Sequence, residues 1–460
     1  MERVLPDKLL NSLAGIKGFD KVAFENVHYQ SRQITSVRFN HDKYERFSMT
    51  SEIKHPYFDL NERVPWCEYG FYLSERPQFT LDPLLHAGAY YVQEASSMFL
   101  WQTLKQIFTR DSNIKILDLC AAPGGKTTLI TSYFKNALIV SNEVIETRAN
   151  ILYENITKWG SENIVVTNND AADFKRLKNY FDLVVIDAPC SGSGLFRKDE
   201  DAIEEWGESN VLLCSQRQQR ILADVYDALK HNGYLIYSTC SYSQEEDEAI
   251  LDWMMAKFKV ESLMFNVEGD WNIVETRSAK HKAFGYRFWP HKLKGEGFFI
   301  TVLQKDETES HSKQNHSSLS KATNKEIDLS EKYLLKDDWL FFKQKEIIRV
   351  IHKQWQNDIL LLQKNLYLKK AGVQLGEIKG NDLVPHHELG LSTITSDNVI
   401  KIETDEDLAL QYLRKKDVSV TTGHKGWVLF THKNFPLGWI KILHNRVNNY
   451  YPTEWRIRKE

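Results

Sequence analysis

Two cysteines follow predicted strands of this 460-residue chain, and their thiols could act as nucleophiles. Cys190 comes directly after Asp187-Ala188-Pro189, and Cys240 lies in the run Ser-Thr-Cys-Ser. Because a thiolate is a strong nucleophile, two thiols facing one ligand crevice would favour covalent catalysis. A free cysteine is more often a small buried hydrophobic side chain, which is what we predict for Cys67 and Cys214.

The elements that would position these thiols alternate between strands and helices, which is typical of a parallel α/β sheet. The predicted strands cover residues 114–120, 137–144, 163–169, 181–189, 233–240 and 298–303, and the predicted helices cover 125–134, 146–159 and 215–231. Ser243 and Glu246 have the spacing of a capping box that would begin another helix. The last strand is expected at an antiparallel edge. In such a doubly wound sheet the ligand lies at the carboxyl ends of the strands. Cys190 and Cys240 would share that crevice if the fourth and fifth strands are neighbours.

A glycine-rich turn, DLCAAPGGKTT from Asp118 to Thr128, joins the first predicted strand to its helix. It does not match a Walker A loop, because the first glycine of that pattern would fall on Cys120. It also lacks the spacing of a dinucleotide fingerprint, since Gly124 and Gly125 are adjacent. A tight turn of small residues at a helix start would still let a ligand approach the backbone. Cys120 is expected to pack there or to line the ligand rather than to react.

Three acidic residues stand at the ends of successive predicted strands. They are Glu143, Asp170 and Asp187. A carboxylate after the second strand is where nucleotide-type Rossmann folds hold ribose hydroxyls. The three together indicate a crevice for an adenosine-bearing ligand without a pyrophosphate. The alternative is that each carboxylate only caps the helix or turn that follows it.

At these residues the chain resembles the Sun/NSUN-type RNA cytosine-C5 methyltransferases. The matching segments, in the order of that family, are HAGAYYVQEASSM (86–98), DLCAAPGGKT (118–127), DAPCSGSG (187–194), STCS (238–241) and GEGFFI (295–300). Two C-terminal segments, AGVQLGEIKG (371–380) and FPLGWIK (435–441), resemble the PUA-like extension of the bacterial RsmF-like branch. The resemblance implies a Rossmann-like methyltransferase sheet with a C-terminal PUA-like domain, and small-subunit ribosomal RNA as the substrate.

The resemblance also implies S-adenosylmethionine as the methyl donor and a role for each site residue. Cys240 would attack carbon 6 of cytosine, Cys190 would assist release of the product, and Asp187 and Lys126 would contact the target base. The residues implied in donor binding are Cys120, Ala121, Ala122, Pro123, Gly124, Gly125, Lys126, Thr127, Glu143, Arg148, Asp170 and Asp187.

The chemistry explains why such residues are needed. Addition of a thiolate at carbon 6 turns carbon 5 of cytosine into an enamine carbon that can accept a methyl group. A thiol with an ordinary pKa near 8.5 is mostly protonated at neutral pH, so the site must favour the thiolate, and Lys126 and the sulfonium are candidate sources of that field. The base that removes the carbon-5 proton stays open. The cytosine must be single-stranded or flipped out of a helix to be reached.

Composition bounds the rest of the molecule. With 42% hydrophobic and 26% charged residues the chain is an ordinary globular protein, and it has no apolar run long enough to cross a membrane. Five cysteines without zinc-type spacing predict free thiols in a reducing cytoplasm and no metal site. The segment 307–329 is rich in Ser, Asn and Lys, so it is predicted to be a linker.

The predicted domains are an α+β RNA-binding region (1–75), the methyltransferase domain (76–306) and a PUA-like RNA-binding domain (330–460). In the first region Arg32, Arg38, Lys43 and Arg46 alternate with hydrophobic residues and are the candidate RNA contacts, although an ordinary α+β packing domain is the alternative. In the last one, residues 418–460 hold seven basic and two acidic side chains. These are interleaved with aromatic residues, namely Trp427, Phe430, Phe435, Trp439, Tyr450, Tyr451 and Trp455. Such a mixture suits phosphates and unstacked bases, although a basic surface over an aromatic core would look the same.

The sequence leaves three alternatives to RNA cytosine methylation and one alternative substrate. A cytosine-C5 DNA methyltransferase would use Cys190 as its nucleophile and leave Cys240 incidental. A ribosome-assembly factor would bind RNA and donor with little or no methylation. A P-loop nucleotidase is disfavoured by Cys120 in the turn. Within the favoured class, tRNA is the alternative substrate to ribosomal RNA.

Overall fold

The computed structural model describes residues 5–30, 33–48, 53–60, 62–306 and 319–459. The chain begins with a small α+β module. Its helices are α1 (Asp7–Leu13), α2 (Lys21–Tyr29), α3 (His41–Phe47) and α4 (Pro83–His86), and its strands are β1 (Thr35–Phe39), β2 (Glu62–Arg63), β3 (Gly70–Leu73) and β4 (Tyr90–Val92). The four strands form one antiparallel sheet in the order β2-β3-β1-β4. Because β4 belongs to this sheet, the boundary predicted at residue 75 falls inside it.

The basic side chains of this module contact protein. Arg38 is fully buried and donates to Gln93 and to Thr128, at 2.8 and 2.6 Å. Lys43, also fully buried, donates to the carbonyl oxygens of Ala87 and Lys158, and Arg46 pairs with Asp397. The prediction that these three residues contact RNA is therefore wrong, because their donors hold the module against the rest of the chain. Arg32 lies outside the described residues.

The central sheet carries the predicted Rossmann-like core. Its elements are α5 (Leu100–Ile107), β5 (Lys115–Asp118), α6 (Gly125–Tyr133), β6 (Leu138–Asn142), α7 (Glu146–Trp159), β7 (Ile164–Thr167), β8 (Phe181–Asp187), α8 (Asp201–Glu205), α9 (Glu208–Val225), β9 (Leu229–Thr239), α10 (Glu248–Lys257), β10 (Val260–Ser262), β11 (Val274–Arg277), β12 (Phe284–Phe288) and β13 (Phe298–Lys305). Strands β9-β8-β5-β6-β7 are parallel neighbours, so the expected pairing of the fourth and fifth strands is confirmed.

Three details of the core differ from prediction. β13 is antiparallel to β9 as expected, but β12 and then β11 follow it, so it is not the edge. The helix predicted over 215–231 ends at Val225, because the chain already turns into β9 at Leu229. Ser243 makes no side-chain cap and α10 begins only at Glu248, so the capping box is wrong. Glu246 instead binds serines far away in the sequence.

The C-terminal part holds two further sheets. Its elements are α11 (Asn324–Glu331), β14 (Trp339–Gln344), β15 (Ile347–His352), α12 (Gln356–Asn365), β16 (Leu368–Ala371), β17 (Val373–Lys379), β18 (Asp382–Pro385), α13 (His387–Leu391), β19 (Lys401–Thr404), α14 (Glu406–Leu413), β20 (Gly426–His432), β21 (Phe435–Ile442) and β22 (Val447–Asn449). The sheet orders are β14-β15-β17-β18 and β19-β20-β21-β22. β16 leaves them and pairs antiparallel with β7, so the C-terminal part extends the central sheet.

The aromatic residues of the C-terminal part are mostly core. Five of the seven are buried, namely Trp427, Phe430, Phe435, Trp439 and Tyr451, whereas Tyr450 and Trp455 keep accessible surface. Of the predicted linker, residues 307–318 lie outside the described residues, and α11 begins at Asn324 behind a capping box of Thr323 and Glu326. No helix in the described ranges has the length and apolar character that crossing a bilayer requires.

Candidate active site

The predicted site residues gather at one edge of the central sheet. β5, β6, β7, β8 and β9 are parallel, so their carboxyl ends lie together, and each is followed by a polar or thiol-bearing segment. The donor turn follows β5, Glu143 follows β6, Asp170 follows β7, Cys190 follows β8 and Cys240 follows β9. The strand pairing therefore brings residues far apart in the sequence to one crevice.

The turn before α6 is held in shape by α7. Gly124 has φ +116°, a left-handed conformation that favours glycine, and it precedes the first residue of the helix. Arg148 donates to the carbonyl oxygen of Ala122 at 2.9 Å, and Asn155 donates to that of Pro123 at 2.8 Å. Arg148 thus supports the turn from outside. The predicted role of Arg148 in donor binding stays a prediction.

Asp118 lies under the turn and was missing from the residues predicted for the site. It is fully buried, and its Oδ2 accepts a hydrogen bond of 2.6 Å from the Thr127 hydroxyl. Its Oδ1 has no partner among the described residues. Burial raises the pKa of Asp118 to about 7, against the opposing effects of Thr127 and Lys126. Its place at the end of β5, directly before the turn, was the available signal in the sequence.

Glu143 fits the role of holding hydroxyl groups of the donor. It is buried, and its Oε1 accepts a hydrogen bond of 3.0 Å from the backbone N–H of Ile145. Its Oε2 is 3.4 Å from Arg148 but accepts no hydrogen bond from any described residue. Because a buried carboxylate oxygen without a donor is costly, this atom is suited to a ribose hydroxyl.

Asn142 is a second residue that the sequence analysis left out. It donates to the carbonyl oxygens of Leu119 and Asn169, and its Oδ1 accepts from Thr167 at 2.8 Å and from the N–H of Asn169 at 3.0 Å. These bonds tie the ends of β5, β6 and β7 together. They fix the spacing of the crevice, and an asparagine before Glu143 gave no sign of this role.

Asp170 occupies the crevice edge but is engaged with protein groups. Its Oδ1 accepts from the N–H of Ala172 at 3.0 Å, and its Oδ2 lies 3.4 Å from Arg220. The side chain is 41% exposed. With the contact to Ala172, Asp170 caps the turn that follows it, which is the alternative function of a carboxylate at a strand end.

The two cysteines of the strand ends meet in the crevice. The Sγ atoms of Cys190 and Cys240 are 3.0 Å apart, and both side chains are half-buried free thiols. The pairing of Asp187 with Ser238 brings the two following loops side by side. The hydrogen bond with Cys240, together with burial, raises the pKa of Cys190 well above its usual range. Cys190 therefore keeps its proton at neutral pH.

A buried carboxylate holds the two cysteine loops together. Glu246 is fully buried, and its Oε1 accepts from the N–H of Ser191 at 2.8 Å and from Gln218 at 3.2 Å. Its Oε2 accepts from the hydroxyls of Ser191 at 2.5 Å and Ser241 at 2.6 Å. Ser191 and Ser241 each follow a cysteine directly, so one side chain sets the position of both thiols.

Lys126 and Asp187 form an ion pair beside the thiols. The Nζ of Lys126 lies 2.7 Å from Oδ2 of Asp187, and the Ser238 hydroxyl donates to Oδ1 at 2.9 Å. Lys126 is buried and also lies 5.1 Å from the centroid of the Phe298 ring. Asp187 remains 41% exposed, so the pair presents a carboxylate to the crevice.

The remaining cysteines have surroundings of the predicted kind. Cys67 and Cys214 are buried, and burial raises the pKa of both thiols. Cys120 lies in the donor turn, and burial with three neighbouring carboxylates raises the pKa of its thiol far above the usual range. Within the described ranges, no group of three or more His, Cys, Asp or Glu side chains is placed to hold a metal ion.

Comparisons with known proteins show which family this chain is similar to. Residues 106–304 match the family model described as 16S rRNA methyltransferase RsmB/F, residues 5–95 match the N-terminal domain of 16S rRNA methyltransferase RsmF, and residues 399–457 match the methyltransferase RsmF PUA domain. A ribosomal RNA small subunit methyltransferase F from Psychromonas ingrahamii is 30% identical over 417 residues, which is 85% of this chain and 84% of the relative. One from Shewanella piezotolerans is 28% identical over 405 residues, with the same two coverages.

Among solved structures, NSun6 from Pyrococcus horikoshii with SFG superimposes with a TM-score of 0.51 at 18% sequence identity. The match covers 67% of this chain and 100% of that protein. At this identity the likeness concerns the fold alone. The family match over residues 106–304 confirms the predicted methyltransferase domain, and the match over residues 399–457 confirms the predicted PUA domain.

Proposed function

Since the chain belongs to the family of 16S rRNA methyltransferases RsmB/F, we propose that it methylates carbon 5 of a cytosine in small-subunit ribosomal RNA, through a covalent bond between Cys240 and the base. The observation that carries this proposal is the distance of 3.0 Å between the sulfur atoms of Cys190 and Cys240 above the donor turn. A single buried cysteine would have a structural explanation, but two thiols in contact at neighbouring strand ends form a reactive centre.

The donor is S-adenosylmethionine, which supplies an electrophilic methyl group when bound. We assign the ribose of its adenosine to Glu143, whose Oε2 accepts no hydrogen bond from the described residues and lies 3.4 Å from Arg148. We place the rest of the donor along the turn from Cys120 to Thr127. Asp118, Arg148 and Asn142 hold these groups in place through the hydrogen bonds given above.

Cys240 is the nucleophile in this proposal. Its thiolate forms a bond to carbon 6 of cytosine, and the electron pair of the 5,6 double bond makes carbon 5 nucleophilic. After methylation a base takes the carbon-5 proton, the electron pair of that carbon–hydrogen bond re-forms the 5,6 double bond, and the carbon–sulfur bond breaks, with its electron pair returning to Cys240 as the thiolate. Cys190 keeps its proton because its pKa is raised, so it can donate a hydrogen bond to the Cys240 sulfur but is a poor competing nucleophile.

Asp187 and Lys126 are proposed to hold the target base. An aspartate carboxylate accepts hydrogen bonds well from the amino group of cytosine, and Asp187 is accessible from the crevice. Lys126 keeps this carboxylate in place at 2.7 Å and offers N–H donors to the oxygen of the ring. The pair would therefore favour cytosine over uracil, which lacks the amino group.

Single substitutions at the two thiols test the proposal. We expect Cys240→Ala to abolish transfer of labelled methyl groups to small-subunit ribosomal RNA. Cys190→Ala should instead leave a covalent protein–RNA adduct that is visible on a denaturing gel, because release is impaired. Cys214→Ala, which removes a buried thiol on α9, is the matched control and should stay active. Methylation by Cys240→Ala would refute the nucleophile assignment, and an adduct in Cys240→Ala would transfer that role to Cys190.

A further inference from the structure

A second cleft lies on the far side of α7, where the methyltransferase core meets the C-terminal part. Its volume is about 740 Å³, which is within the range of ligand pockets. Tyr153 and Glu154 of α7 form one wall. The opposite wall includes His387 of α13 and the aromatic residues Tyr450 and Trp455. None of the residues assigned to methyl transfer lines this cleft.

The aromatic lining includes Tyr450 and Trp455, which keep accessible surface while the other five aromatic residues of this group are buried. Trp455 is half-buried, with its ring centroid 5.4 Å from that of His387 and 6.2 Å from that of Tyr153. Tyr450 is 38% exposed. Accessible aromatic faces in a cleft offer stacking surfaces to a flat heteroaromatic group.

His387 supplies an independent sign of a ligand. The residue is 6% exposed and lines the cleft, yet neither ring nitrogen has a hydrogen-bond partner among the described residues. Burial and nearby positive charges lower the pKa of His387 well below its usual range, so the ring is neutral. A neutral imidazole carries one N–H donor and one acceptor, and burying both without partners is costly.

Three carboxylates among the lining residues disfavour a phosphate as the group inside the cleft. Glu154, Glu377 and Glu454 line the cleft, and the first two pair with Lys158 and Lys379. Among the described residues, Glu454 has no ion pair. Carboxylates repel phosphate oxygens but accept hydrogen bonds from exocyclic amino groups.

We propose that this cleft binds one unstacked nucleobase of the RNA substrate, stacked on Trp455 and hydrogen-bonded to His387. A base with an exocyclic amino group meets each feature, because it is flat, uncharged, and carries donors and acceptors on one edge. The inference rests on the proposed function, since it takes the RNA substrate from there.

The position of α7 connects the cleft to the donor turn. Arg148 and Asn155 of this helix hold the turn, whereas Tyr153 and Glu154 line the cleft. A helix of 14 residues is about 20 Å long, so both sites lie within reach of one folded RNA. The cleft would hold the RNA at a base away from the target cytosine.

The test compares RNA binding by the full chain and its variants, with a 16S rRNA transcript as the probe at one fixed salt concentration. We expect Trp455→Ala to weaken binding about tenfold, because one base–aromatic stack is lost. His387→Phe keeps a ring but removes both nitrogens, and should weaken binding about threefold. The matched control is Trp253→Ala. Trp253 is half-buried and has Lys257 4.9 Å from its ring centroid, as Trp455 has Lys158 at 5.9 Å, but it does not line the cleft.

Further measurements separate this proposal from the other possibilities. Donor affinity by calorimetry should be unchanged in Trp455→Ala, and its kcat should be retained at saturating RNA with a raised KM. If Trp455→Ala fails to fold, Tyr450→Ala on the more exposed ring takes its place. Unchanged affinity for the transcript overturns the proposal, and a loss confined to assembled small subunits would indicate a protein partner. Absence of methylation by the unmodified chain would instead refute the proposed function, and leaves the affinity comparison readable.

Discussion

The crevice has a thiol half, after β8 and β9, and a donor half, after β5, β6 and β7. The two halves differ in how many hydrogen bonds their carboxylates accept. In the half that carries the thiols, the oxygens of Glu246 accept four hydrogen bonds from Ser191, Ser241 and Gln218. In the half that would hold the donor, Glu143 and Asp118 each keep one buried oxygen that accepts no hydrogen bond from the described residues, although that of Glu143 lies 3.4 Å from Arg148. Buried polar atoms in folded proteins are nearly always paired, so the contrast carries information.

The contrast separates positioning from binding. A fully bonded network such as that of Glu246 has no capacity left for a ligand and fixes the atoms attached to it. A carboxylate with an oxygen that accepts no hydrogen bond, such as Glu143, can accept one from a bound ligand. We therefore expect substitutions in the thiol half to affect the rate of transfer, and substitutions in the donor half to affect donor affinity.

The largest effect is expected from Glu246. Glu246→Ala should lower kcat about a hundredfold, because a displacement of the thiols by about 1 Å can cost that factor. Glu246→Gln, which keeps the shape and part of the bonding, should lower kcat about tenfold. Methyl transfer at saturating donor and RNA measures both. Donor affinity should stay constant, and the exposed neighbour Glu245 provides the control Glu245→Gln. An effect on donor affinity alone would break the division between the halves.

Glu143 should show the opposite pattern. Glu143→Gln removes the charge of an acceptor that is proposed to bind ribose, and loss of a hydrogen bond to a charged group costs about 1.5 kcal/mol or more. We expect the Kd for S-adenosylmethionine to rise about tenfold in calorimetry, with little change in kcat at saturating donor. Glu146→Gln, a change at an exposed position three residues later on the same segment, is the control. Equal donor affinity in both variants would contradict the assignment.

Asp118, the second carboxylate of the donor half, should make the stability of the chain depend on pH. Its pKa is about 7 in the folded chain and about 3.9 unfolded, so its contribution to stability is fully present below pH 4 and is lost as the pH rises through 7. The parent chain should therefore lose stability relative to Asp118→Asn over this window, by up to about 4 kcal/mol at about 1.4 kcal/mol per pKa unit. Denaturation midpoints of both proteins at pH 5 and pH 8 sample about two pKa units of this window, for which the expected difference is about 3 kcal/mol. If the difference in midpoint between the parent chain and Asp118→Asn does not change with pH, the pKa of Asp118 is not raised.

The same contrast explains what the sequence could predict. The parallel core was predictable because β5 to β8 are short apolar runs that are buried almost throughout. The thiols and the donor turn were predictable because they stand directly after such runs. The role of Glu246 was not, because its spacing from Ser243 imitates a local cap while its partners come from another strand end. The prediction that Arg38 contacts RNA was wrong for the same reason, because its partners Gln93 and Thr128 are distant in the sequence.

The smallest effect on donor affinity is expected from a substitution of Asp170. This carboxylate stands in the donor half, yet it caps Ala172 and lies near Arg220, and it is 41% exposed. Water and protein groups therefore already satisfy its oxygens, and a ligand gains little by replacing them. Asp170→Ala should raise the donor Kd only two- to fivefold in calorimetry, whereas Asp173→Ala, a nearby acid paired with Arg176, should leave it unchanged. A loss as large as that of Glu143→Gln would mean that exposure does not predict which acids bind the donor, and it would move Asp170 into the same class as Glu143.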